Sequence, residues 1–237
     1  MNEYNMNGAQ SYEVDGFRSY LTKVYTKMGL GLLVTAAVAA IGYFSGFYYN
    51  FIAATGALGV WLPFILELIL AMSMSAGITR FKPATVNLLF FAYAAITGFT
   101  FSVLLYAYDI GIVFGAFAFS AILFISCAII GHVTNVDLSR FSTLLIGALF
   151  ALVIASVVSM FVPALADSLV LSYIGIILFL FLTAWDVQRL KGLYYTTSSM
   201  GEIGENIAVY GAFELYLDFI NLFLYVIRIL GSRSSRD

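Results

Sequence analysis

The chain has 237 residues, of which 62% are hydrophobic and only 10% charged, with a formal net charge of −2 and a mean hydropathy of +0.98. Soluble domains are about 45–50% apolar and about 25% charged, so this composition excludes a soluble enzyme or a nucleic-acid binder. It describes an all-α polytopic membrane protein whose main partner is the lipid bilayer.

In chain order, the first 25 or so residues are polar and mixed in charge, and read as a mobile cytosolic tail. They lack the charged, then apolar, then small-residue order of a cleavable signal peptide. A transmembrane domain follows over residues 26–231, and 232–237 form a short C-terminal tail. Seven apolar runs lie in that domain: Met28–Phe47, Gly59–Ile78, Ala84–Tyr106, Ile110–Ile130, Phe141–Val162, Leu169–Trp185 and Ile207–Leu230. Each is near the ~20 residues a helix needs to cross a bilayer.

The breaks between the runs are chemically consistent. Pro63 and Pro83 suit the first turns of the second and third spans, and Pro163 follows the fifth. Asp109 and Gly111 mark a tight turn between spans three and four, and Asp137 is placed to cap the start of the fifth. Gly29, Gly31 and Gly98 permit close helix contacts, and Trp61 and Trp185 read as interfacial anchors. The single cysteine, Cys127, is packing material, and with only one cysteine there is neither a disulfide framework nor a paired-cysteine metal motif. His132, the only histidine, has no second His or Cys nearby to make a zinc site. There is no phosphate-binding loop and no nucleophile–base constellation, so no enzymatic activity and no resident cofactor are expected.

Lys and Arg placement sets the orientation. Arg18, Lys23 and Lys27 precede the first span; Arg80 and Lys82, Arg140, and Arg189 and Lys191 fall in every second connection. The N-terminus is therefore cytoplasmic, in a multi-pass protein of the cell membrane. Seven crossings put the C-terminus outside, where Arg228, Arg233 and Arg236 cluster against the rule. Either the last segment crosses nonetheless, held by the other six, or it re-enters and returns. Its length favours crossing.

That last segment also carries the chemistry. At about 100° per residue, Glu214, Asp218 and Asn221 share one helical face with Tyr210, Tyr225 and Arg228. An acid near mid-bilayer costs at least ~2.5–3.5 kcal/mol on insertion scales and usually faces a bundle interior or an ion path. Two acids on one stripe, with no base within a turn of either on the same helix, point to a protonated pair or a cation site.

Residues 215–224, LYLDFINLFL, resemble the C-terminal signature of the Bax inhibitor-1 family, also called the transmembrane Bax-inhibitor-motif family, in its bacterial YetJ- and YccA-like branch. Further matching pieces are ELIL at 67–70, GHVTNVDLS at 131–139 and LTAWDVQRLK at 182–191. The resemblance covers most of the chain after the tail. It implies seven helices, the C-terminal one central and wrapped by two three-helix layers. It also implies a pH-sensitive calcium leak in which an aspartate pair, here Asp186 and Asp218, is sensor and gate. The family pattern adds Arg80 as a latch and Glu67 as a mid-span acid.

The depth of the two aspartates is compatible with pairing. Asp186 lies about 5 residues, or ~8 Å, inside a sixth helix ending near Lys191, and Asp218 about 7 residues, or ~10 Å, inside a seventh starting at Gly211. Two carboxylates in contact cannot both ionise cheaply in a low-dielectric site, so they titrate as a unit. Glu67, Glu214 and Asn221 are candidate ion-path residues, and Asp218 with Glu214 could contact calcium transiently, since calcium prefers oxygen ligands. Calcium and protons are then the small partners. The alternative is a regulatory membrane protein that binds a membrane-bound quality-control protease or another membrane complex.

Overall fold

The structure, a computed structural model, describes residues 3–159, 162, 169–197 and 199–234. Among them are eight α-helices and no strand: α1 Glu3–Phe44, α2 Phe47–Thr55, α3 Ala57–Gly77, α4 Pro83–Ala107, α5 Ile110–Val133, α6 Ser142–Ser159, α7 Leu169–Thr197 and α8 Glu202–Ser234. Helix is the expected answer for such runs, because hydrocarbon offers no partner to a backbone amide and the helix satisfies its own.

Six segments are long and apolar enough to cross a membrane: Gly16–Phe44 within α1, α3, α4, α5, Leu138–Ser159, and α7. They reproduce the first six apolar runs to within a few residues at most boundaries. The seventh run forms α8, which is built differently. No residue from 203 to 232 is exposed, whereas α3 turns Leu58, Val60, Leu62, Ile65 and Met72 outward, and α6 turns out Leu144, Phe150 and Ile154. Those outward apolar faces suit lipid; α8 is sheathed in protein.

Several expectations change. The segment expected as an N-terminal tail is helical from Glu3 and continuous with the first span in α1. At the other end α8 reaches Ser234, three residues into the short tail. An unforeseen helix, α2, sits between spans one and two, bounded by Gly46 and Gly56 at φ 67° and 60°, a region where only glycine is comfortable. Pro63 falls inside α3 rather than in its first turn, leaving the Gly59 carbonyl without a helical donor. Pro83 does open α4, and Asp109 caps α5 by accepting from the Gly111 amide at 2.7 Å. Asp137 accepts from the Ser139 amide at 3.1 Å and starts a 3-10 turn, Leu138–Phe141, that leads into α6. Pro163 lies outside the described residues.

The chain forms two compact units, Met1–Val103 with Leu190–Phe213, and Leu104–Arg189 with Glu214–Asp237. The long helices α7 and α8 contribute to both. In the first unit, Phe213 packs edge-on against Phe90 and Tyr93, with centroids at 6.0 and 4.9 Å. A Cβ at Gly98 would collide with the α1 backbone at Thr35, so α1 and α4 touch closely there. Gly31 admits the Phe90 ring in the same way, while Gly29 faces open space. In the second unit, Phe117 and Phe124 of α5 meet Phe219 of α8 at 5.2 and 5.8 Å. Phe179 of α7 stacks on Tyr225 at 6.0 Å, and the Tyr225 hydroxyl reaches Ser156 of α6 at 3.3 Å.

Candidate functional site

The second unit brings α7 and α8 together around their acids. Gly131 of α5 makes this possible from one side, since any Cβ there would strike the Ala184 backbone. From the loop before α6, Leu138 donates its amide to Gln188 Oε1 and Val136 accepts from Gln188 Nε2, both at 2.8 Å. The α7 segment 184–188 is thus pinned on two sides.

On that segment, the Asp186 carboxyl faces that of Asp218 on α8 closely enough for the two to interact. Asp186 is 8% exposed and Asp218 5%. Asp186 Oδ1 and Asp218 Oδ2 make no hydrogen bond at all, an unusual debt for buried carboxyl oxygens. Thr183, one turn before Asp186, also reaches the Asp218 carboxyl, while its own hydroxyl proton points to the Phe179 carbonyl at 2.7 Å.

A third acid and a base complete the cluster. Arg189 of α7 donates Nη1 to Glu214 Oε1 at 2.9 Å, and the same nitrogen lies 3.8 Å from Asp186 Oδ1. Its guanidinium sits 5.7 Å from the centroid of the Trp185 ring. Two carboxyl groups, of Glu214 and Asp186, therefore flank one guanidinium, with Asp218 beside Asp186, and Trp185, expected as an interfacial anchor, serves as its platform. Asn221, one turn beyond Asp218, donates its amide to the Leu217 carbonyl at 2.8 Å and is half-buried. Among the described residues, no three His, Cys, Asp or Glu side chains are grouped to hold a metal ion.

The pairing of Asp186 with Asp218 was expected to need a helix break at Gly211, and there is none: α8 is continuous from Glu202. Instead α7 also runs on, six residues past Lys191 to Thr197. That adds ~9 Å to one helix against ~14 Å on the other, so the depths counted from the helix ends differ by ~7 Å where ~2 Å was expected, and the two carboxyls face each other nonetheless. Gly211 contributes by packing, because Leu190 occupies the space a Cβ would take.

The remaining candidates lie in the first unit. Glu67 is half-buried on the inward stripe of α3 with Pro63 and Met74, and Thr100 Oγ1 is 3.5 Å from its Oε1. Arg80 is exposed in the turn before α4, whose Ile78 and Phe81 carbonyls accept from Asn206 of α8 at 2.9 and 2.8 Å. The base at the acid cluster is Arg189. Sequence reading used Arg189 only for orientation, although its i,i+3 spacing from Asp186 was the available signal. No base lies within a turn of Glu214 or Asp218 on α8; it comes from α7.

The family model described as inhibitor of apoptosis-promoting Bax1 matches residues 17–235. An uncharacterised protein of Deinococcus radiodurans is 39% identical over 225 residues, covering 94% of this chain and 95% of its own. An uncharacterised protein of Rickettsia prowazekii is 35% identical over 221 residues, 92% of each chain. The inner membrane protein YbhL of Escherichia coli is 34% identical over 220 residues, 92% of this chain and 93% of its own.

Proposed function

The chain belongs to the Bax inhibitor-1 family of multi-pass membrane proteins, and from that premise we propose that it is a pH-sensitive calcium leak of the cell membrane, gated by Asp186 and Asp218. The observation that carries the reading is two facing carboxyl groups on neighbouring apolar helices, each buried and each with an oxygen that makes no hydrogen bond.

With one proton between them, the two carboxyls attract through a charge-assisted hydrogen bond that holds α7 to α8. When the shared proton leaves, two negative charges face each other in poor solvent. They repel, and the pair relaxes by separating, admitting water or taking up a cation. Raising pH thus favours the open arrangement. Calcium competes with protons for the same oxygens, with Glu214 and the Asn221 carbonyl as further transient contacts.

In this reading the N-terminus is cytoplasmic and α8 is a seventh crossing. A cysteine at Ser234, with Cys127 replaced, is then labelled by an impermeant thiol reagent in intact cells; labelling only after lysis supports the re-entrant alternative. The gate itself is tested with purified protein in calcium-loaded vesicles between pH 5 and 9. The wild type releases calcium with a pH dependence that Asp186→Asn and Asp218→Asn flatten, since Asn keeps shape and hydrogen bonding but cannot titrate. Release that keeps its profile in both variants removes the pair as gate. A protein that conducts nothing without a partner favours the regulatory alternative.

A further inference from the structure

The acid cluster of α7 and α8 already contains a cation, and it belongs to the protein. Arg189 Nη1 is bonded to Glu214 Oε1 at 2.9 Å and stands 3.8 Å from Asp186 Oδ1. That second distance is too long for a hydrogen bond, and Asp186 Oδ1 has no other partner. The carboxyl oxygen is nine-tenths buried, unsatisfied and turned towards the place the guanidinium occupies. The Trp185 ring at 5.7 Å holds the guanidinium there from one face. The other charges on the surrounding elements do not compete: Asp137 and Arg140 pair with each other at 3.7 Å, and Lys191 is exposed.

We propose that Arg189 is a tethered competitor for the permeating cation, filling the site that Asp186, Glu214 and Asp218 would otherwise offer to calcium. The inference rests on the leak reading for its physiological meaning, but the competition itself is a property of the site. A guanidinium satisfies carboxylate oxygens without crossing the membrane. A mobile cation enters only by displacing it, so the site is occupied at rest and binds calcium weakly. Glu214 has a double part, as the anchor that keeps the guanidinium off Asp186 and as a ligand once the guanidinium is gone.

The test is calcium binding to the full chain in detergent at one fixed pH, followed by calorimetry with calcium alone. Arg189→Gln removes the competing charge with little change of shape, and calcium affinity rises about tenfold or more. Arg189→Lys keeps the charge and stays near the wild type. Glu214→Gln moves the other way, to weaker binding, because a ligand is lost and the freed guanidinium closes on Asp186. Should Arg189→Gln fail to fold, as judged by its melting temperature, the Glu214→Gln direction still decides. Affinity unchanged or reduced in folded Arg189→Gln, or increased in Glu214→Gln, overturns the proposal. Binding needs no conduction, so a protein that gains affinity in Arg189→Gln yet never leaks calcium contradicts only the leak reading.

Discussion

Glu67 on α3 and the Asp186–Asp218 pair of α7 and α8 are both carboxyl groups set among apolar helices, but their partners differ in kind. Glu67 meets a neutral hydroxyl, Thr100 Oγ1, at 3.5 Å, and that hydroxyl makes the better bond to the Thr97 carbonyl at 2.8 Å. Asp186 and Asp218 meet each other, with Glu214 and Arg189 alongside. A lone carboxyl can hold its proton and rest as a neutral hydrogen-bonding group. A carboxyl facing another cannot change its proton count without altering the force between the helices that carry them. In the proposed gate, only the second arrangement converts proton activity into mechanical work on α7 and α8. Burial makes an acid expensive; a second acid makes it responsive.

The largest expected effect separates the two sites directly. In vesicles, the ratio of calcium release at pH 8 to that at pH 6 falls to about one in Asp218→Asn and keeps its wild-type value in Glu67→Gln. Flattening by Glu67→Gln as well would merge the two sites into one titrating system.

Much of the fold was readable from composition and run length, because a bilayer admits few solutions. The first six runs became the six long apolar segments, with boundaries within about three residues except at the start of the first, Gly16 against Met28, and the end of the sixth, Thr197 against Trp185. The misreadings have local causes. Residues 1–25 looked like a tail because they are polar, yet polarity does not stop a helix that already has a long apolar stretch to grow from. Gly211 looked like a break because glycine is a poor helix former, but here it admits Leu190. At the site, Asp186 and Asp218 were legible through family motifs, and their acid stripe with Glu214 through helical spacing. Arg189 was not, because a basic residue near a span end normally marks the cytoplasmic side. Only its i,i+3 spacing from Asp186 tied it to the acids.

The next effect in size concerns how the pair is held. Gly131→Val forces a side chain into the Ala184 backbone beside Asp186. Overpacking of this kind costs about 1–3 kcal/mol, or roughly 2–4 °C of melting temperature per kcal/mol in a chain of this size. Gly29→Val, with open space at the Cβ position, leaves the melting temperature within about 1 °C. Equal losses in the two variants would mean that close approach at Gly131 does not support the site.

Smallest is the exposed ion pair that joins α1 to the start of α8, Lys23 Nζ to Glu205 Oε1 at 2.8 Å. The Lys23 ammonium, through its hydrogen bond, holds the Glu205 carboxyl below the usual carboxylate range. A lowered carboxyl contributes its stability above the unfolded-state value, near ~4.3, and loses it as pH falls through the folded value. At neutral pH Glu205→Gln therefore costs less than about 1 kcal/mol, and the difference from wild type vanishes in acid and shrinks in high salt. A Glu205→Gln penalty that persists below pH 3 would assign the contact to packing.

The claim that a shared proton holds α7 to α8 can be read as a distance. The ends of the two helices nearest residues 198–201 are joined by a short connection, so spin labels belong at the other ends, on Val170→Cys and Ser232→Cys with Cys127→Ala. Measured from pH 5 to pH 9 in lipid, the account predicts that this distance widens as pH rises, and that Asp218→Asn abolishes the change. A distance that shrinks with rising pH, or one that still widens in Asp218→Asn, would contradict it.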